Sequence, residues 1–192
     1  MVYLIVGLAL FLGVHSVRIF GDNWRTRTIA GMGALPWKGL YSLLSLAGFV
    51  LIVWGFGQAR QQPVQLWSPP VAMRHLASLL TLISFVLLAA AYVPGNGIKA
   101  RLHHPMVLAV KVWALAHLLA NGNMAHVLLF GAFLAWAVLN FSAARKRDRL
   151  AGTVYAPGKA SATAITVVVG VVAWAAVAFW LHGLLIGIRP IS

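Results

Sequence analysis

Apolar residues in this chain come in long unbroken runs rather than at the three-and-four spacing of a water-facing helix. A run of about 20 residues, at 1.5 Å rise each, crosses the ~30 Å hydrocarbon core of a bilayer. Six runs are read, at roughly 2–20, 39–57, 71–93, 105–120, 124–142 and 163–188. The breaks have local causes. Gly21-Asp22-Asn23 ends the first run, Gly57, Pro63 and Pro69-Pro70 separate the second from the third, and Pro94-Gly95-Asn96-Gly97 stops the third. His104 stands at the N-cap of the fourth, with Pro105 at the favoured first helical position. Asn121-Gly122-Asn123 predicts a tight turn and hence an antiparallel hairpin of the fourth and fifth helices. Between the first two runs, Trp24 to Leu35 predicts a short basic interfacial helix. The first run lacks a basic leader and a small-residue cleavage site, so a retained span is expected. With no internal repeat and no long polar segment, one domain over 1–192 is the simplest organisation.

Composition agrees. Of 192 residues, 61% are hydrophobic and 9% charged, against about 25% charged in a soluble domain, and the mean hydropathy is +0.89. The expected fold is all-α: a polytopic membrane bundle of six transmembrane helices. The formal charge of +13 would suit nucleic acid on a soluble basic face, but here the cations flank the apolar runs, so no nucleic-acid partner is expected. Arg25, Arg27, Lys38, Lys99, Arg101, Arg145, Lys146, Arg147, Arg149 and Lys159 fall on one side; Arg60, Arg74 and Arg189 fall on the other. The positive-inside rule puts the first set in the cytoplasm and both termini outward. Arg145–Arg149 reads first as an orientation anchor against anionic headgroups and second as a docking site for an acidic partner.

The rare residues narrow the chemistry. With only two acidic residues, Asp22 and Asp148, a carboxylate-bridged metal pair, a calcium site and a two-carboxylate glycosidase are excluded. Zero cysteines exclude iron–sulfur ligation, thiolate-bound or covalently attached haem, and a cysteine nucleophile. Seven histidines remain, so imidazole is the expected ligand of any metal or redox cofactor.

Ionisable groups inside a span are costly and therefore candidates. His15 and His117 lie within apolar helix; His75, His103, His104, His126 and His182 lie nearer span ends, where packing or interfacial roles compete. Two facing imidazoles are the usual ligation of a non-covalent haem b, and the small neighbours Gly13, Ser16, Ala114 and Ala116 leave room for a macrocycle or for close helix packing alike. Lys111 and Arg18 either snorkel to the interface or face an anionic cofactor group such as a propionate. The expected topology sets His15 and His117 about 10 Å apart in depth. Depth alone pairs His75 with His117 near the outer face, or His15 with His104 near the inner one.

His15-Ser16, Arg18, Trp24-Arg25 and Arg27, then Trp37-Lys38-Gly39-Leu40-Tyr41-Ser42, resemble the opening of the NnrU family. His104-Pro105, Trp113, Ala116-His117-Leu118, Asn121-Gly122 and Phe130-Gly131 resemble its most recognisable block. The resemblance implies a bacterial inner-membrane protein connected with nitrite and nitric oxide reduction (denitrification), and related to the plant zeta-carotene isomerase, a haem b enzyme. It implies haem b with His15 and His117 as iron ligands, His104 matching a His-Pro motif, and a redox or isomerase-like activity. The alternative is a non-catalytic accessory or assembly factor for a respiratory complex, with a respiratory-chain protein as partner. A transporter ranks last, since no inverted repeat is present.

Overall fold

α1 (Val2–Phe20) and α3 (Ala34–Ala59) run antiparallel with their backbones nearly touching. Glycine makes this possible: a Cβ at Gly7 would lie 2.6 Å from the Ile52 nitrogen, and one at Gly48 would lie 2.8 Å from the Phe11 nitrogen. Without a hydrophobic drive between helices in lipid, small residues let backbones approach and gain dispersion contact. This pair is one edge of a helical structure, a computed structural model that describes residues 1–191 and contains no strand among them.

Between α1 and α3 lies the short helix α2 (Asp22–Met32), its Trp24 edge-on to Trp37 at 5.8 Å. Then follow α4 (Val71–Tyr92), α5 (Gly97–Leu102), α6 (Pro105–Ala120), α7 (Met124–Leu150) and α8 (Ala160–Ala176). A π-helical turn, Val177–Leu181, leads into α9 (His182–Ile186). The long helices pack as neighbours in the order α3, α1, α7, α6, α4, α8. Arg60 at the end of α3 donates to the Ile186 carbonyl at 3.0 Å, tying the two outermost members of this order together.

Capping side chains set several boundaries. Asn96, 2% exposed, accepts from the Lys99 N–H at 2.8 Å and donates to the Ala90 carbonyl at 2.9 Å, closing α4 and opening α5. His104 is the N-cap of α6 and Pro105 its first residue, as expected. Asn123 caps α7 through the His126 N–H at 3.1 Å. The turn before it is clamped by the 64–67 segment, whose Leu66 N–H donates to the Gly122 carbonyl at 2.8 Å. α6 and α7 pack as the expected hairpin around Ala114, Leu129 and Phe130.

Five helices are long and apolar enough to cross a membrane: Val2–Phe20, Ala34–Ala59, Val71–Tyr92, Met124–Leu150 and Ala160–Ile186. The sixth expected span, Pro105–Ala120, is apolar but has 16 residues, about 24 Å of helix against a ~30 Å core. Two helices exceed their apolar runs: α3 begins at Ala34 and α7 continues through the Arg145–Arg149 cations to Leu150. Large apolar side chains such as Leu43, Leu46, Val53, Val168 and Val172 are exposed along the helices, as in a protein solvated by lipid. The connections carrying most cations gather at one end, called here the basic end; the start of α1, the end of α3 and α9 lie at the opposite end.

Candidate functional site

Helix α1 places His15 four residues after Phe11, one turn nearer the basic end. Its Nδ1–H donates to the Phe11 carbonyl at 2.7 Å and its ring stacks on Phe11 at 4.2 Å. A carbonyl only accepts, so Nδ1 carries a proton; with the ring neutral, this bond leaves the lone pair on Nε2, the form in which histidine binds a metal. Tyr41 of α3 and Trp136 of α7 pack against the same ring at 5.3 and 6.2 Å.

Two buried side-chain polar atoms lack a hydrogen-bond partner among the described residues: Ser45 Oγ and Trp136 Nε1. Both belong to the His15 layer. Phe11, Phe49 and Phe133 form the layer above, with ring separations of 6.4 and 5.9 Å from Phe11. One turn toward the basic end from each lies His15, Ser45 and Trp136. Orphaned polar groups are expensive in an apolar interior, where no water compensates them.

On the basic side of this layer, α1, α2 and α3 border an open cavity of about 440 Å³. His15 and Tyr41 form part of its wall, Trp37 supplies a flat aromatic surface, and Arg18, Arg25 and Lys38 supply positive charge. Asp22 is 3.9 Å from Arg18 and 3.8 Å from Arg25; both pairs are long and exposed, so they hold the arginines weakly. Ser45 and Trp136 carry no site signal in the sequence, and Arg25, Lys38 and Tyr41 stand out there only within the motif that resembles the family and in the count of cations. For Arg25 and Lys38 the signal was present in the cations after span one but was absorbed by the orientation rule, whereas Arg18 was already a candidate to face a propionate.

His117 repeats the His15 geometry elsewhere. Its Nδ1–H donates to the Trp113 carbonyl at 2.8 Å, and its ring stacks on Phe130 at 4.4 Å. His15 packs at the level of Trp136 and His117 at that of Phe130, six residues along α7 and so about 9 Å apart in depth. Between them Phe133 contacts both Phe11 and Trp113, at 5.9 and 5.7 Å. The structure therefore does not bring His15 and His117 into one cavity. His117 instead joins His126, which also packs on Phe130 at 5.9 Å. His75 is exposed at the start of α4, and Lys111 is half-buried in α6 without an ion pair among the described residues. No group of three or more His, Asp or Glu side chains among those residues is arranged to hold a metal ion.

A second polar cluster occupies the basic end, where His104 contacts neither His15 nor the first cavity but pairs with Asp148, Nε2 to Oδ2, at 2.8 Å. The Tyr155 hydroxyl donates to the same carboxylate oxygen at 2.9 Å. Burial, and then the bond to Asp148 and its charge, raise the Tyr155 phenol above its ordinary value of 10.0. The Tyr155 ring lies flat on His103 at 4.0 Å and 4°. His103 has φ 67 and ψ −48, with the Leu102 carbonyl accepting from the His104 N–H at 2.9 Å, a γ-turn. For a residue with a side chain this strain is on the order of 1–3 kcal/mol, held by its surroundings.

No curated protein and no solved structure matches the chain. The model of the NnrU protein family matches residues 3–190, nearly its whole length, and the chain belongs to that family.

Proposed function

We propose that this membrane protein binds haem b in the cavity between α1, α2 and α3, with His15 as iron ligand, and serves a redox or isomerase-like reaction in the bacterial inner membrane. The observation that carries the reading is His15 itself: an imidazole tied through Nδ1 to the Phe11 carbonyl, packed against Trp136 whose Nε1 has no partner, and lining a cation-rimmed cavity. About 440 Å³ is within the roughly 300–1,000 Å³ of small-ligand sites, and Trp37 and Tyr41 suit a flat apolar ring. Arg18, Arg25 and Lys38 would face the propionates. The Phe11 carbonyl would hold the imidazole in place and raise its basicity. When bound, haem supplies a redox-active, Lewis-acidic iron. His117, held at a different depth behind Phe133 and Trp113, is not part of this ligand set. A connection with nitrite and nitric oxide metabolism, and with a respiratory-chain partner, extends the reading by family resemblance.

The test is an absorption spectrum of protein purified in mild detergent from haem-replete cells, oxidised and then reduced. A Soret band that shifts on reduction is expected. A colourless protein that also fails to take up added haem overturns the proposal.

A further inference from the structure

The first cavity uses none of the cluster at the end of α7. There a second cavity of about 160 Å³ is lined by His103, Arg145, Asp148, Arg149, Gly152 and Thr153. Its charges do not cancel. Asp148 is already met by His104 and by the Tyr155 hydroxyl, at 2.8 and 2.9 Å. Neither arginine pairs with a carboxylate among the described residues.

Two of the lining groups, Arg145 and His103, are held in place. Arg145 Nη1 lies 3.3 Å from His103 Nδ1. A guanidinium only donates, so Nδ1 accepts, and the His103 ring carries its proton on Nε2 as a further donor. The Tyr155 stack and the γ-turn at Leu102–His104 hold that ring, while Phe141 lies 6.0 Å beneath the Arg145 guanidinium. A cleft lined by two arginines, His103, Thr153 and an Asp148 whose charge is already met within the protein matches a tetrahedral oxyanion, which accepts several charge-assisted bonds at once. At 160 Å³ it is smaller than the roughly 300 Å³ of drug-sized sites, so it admits a phosphate group and not a porphyrin.

We infer that the cavity formed by His103, Arg145, Arg149 and Thr153 is a specific binding site for a phosphate group, carried either by an anionic lipid headgroup or by free phosphate. This differs from a diffuse basic anchor, because Lys146 and Arg147 on the same turn do not line the cavity.

The experiment compares full-length wild type with R149Q, R145Q/R149Q and the charge-matched K146Q/R147Q. One arm counts phosphatidylglycerol retained in neutral detergent by native mass spectrometry. The other titrates inorganic phosphate by calorimetry. The site predicts one bound lipid or one bound phosphate in wild type. Affinity should fall about tenfold or more when the lining arginines are removed, as for a lost charge-assisted bond, while K146Q/R147Q stays near wild type. Binding in the lipid arm alone assigns a headgroup; binding of inorganic phosphate assigns the free ion. If the double variant does not fold, R149Q decides alone, since Arg149 is exposed. No binding in either arm, or equal loss in the two charge-matched pairs, overturns the inference.

Discussion

Replacing Gly48 by alanine tests how the site is built. The new Cβ would lie 2.8 Å from the Phe11 nitrogen and 3.0 Å from Phe11 Cα, both backbone atoms that no rotamer change can move. Ordinary carbon contacts are about 3.5–4.0 Å, so α1 and α3 must part by about half to one ångström. Overpacking of this kind costs about 1–3 kcal/mol. Gly7→Ala strikes the same seam, 2.6 Å from the Ile52 nitrogen. Once one substitution has opened the seam the other meets less resistance, so the double variant should cost less than the two singles together. Gly13→Ala is the control: it makes the same change on α1, where nothing lies within 4 Å, and should be neutral or slightly stabilising. Unfolding in mixed micelles titrated with SDS, followed by tryptophan fluorescence, gives all four stabilities. A neutral Gly48→Ala, a strictly additive double variant, or a Gly13→Ala as costly as the others would refute the close-contact account.

Three further outcomes are expected. The raised Tyr155 phenol means the folded state prefers its neutral form. Its contribution to stability is therefore present below the ordinary pKa of 10.0 and lost as pH rises through the higher folded value; ultraviolet titration of wild type against Y155F should show one late-ionising tyrosine, and D148N should bring it back toward the ordinary value. The cysteine-free background permits single-cysteine mapping: labels at Thr153 and Lys99 should react from the cytoplasmic side and a label at Gln62 from the other, and the reverse pattern would invert the orientation. Arg25→Gln and Lys38→Gln together should weaken haem retention about tenfold while leaving any Soret maximum in place, because they face the propionates and not the iron; a changed maximum would contradict that assignment.

Helix placement was legible because the solvent dictates it: every backbone group must be satisfied within a span, so apolar runs, Pro105 and the turn segments 94–97 and 121–123 mark the elements. Ends that leave the lipid were less legible. α7 continues through Arg145, Lys146, Arg147 and Arg149 because arginine and lysine are good helix formers, so a boundary drawn where hydropathy falls is too early. The π-helical turn at Val177–Leu181 has no sequence mark in its run of ordinary apolar residues. Of the site, His15 and His117 were visible as imidazoles inside apolar helix. Their separation was visible too, since about 10 Å from topology agrees with the six-residue offset along α7. The partners were not visible. Ser45 and Trp136 are unremarkable residues in a span, and only the packing of α3, α1 and α7 brings Trp136 against His15 and sets the unpartnered Ser45 at the same level. Asp148 reaches His104 across 44 positions of sequence, a pairing that local pattern does not encode.

The central claim is that His15, and not the His15–His117 pair, anchors the cofactor. It is tested most directly by the haem-to-protein ratio of purified His15→Ala beside purified His117→Ala, each confirmed folded by its unfolding midpoint. The account predicts that His15→Ala loses nearly all bound haem and that His117→Ala keeps it near the wild-type ratio. Full occupancy in His15→Ala, or equal loss in both, would contradict it.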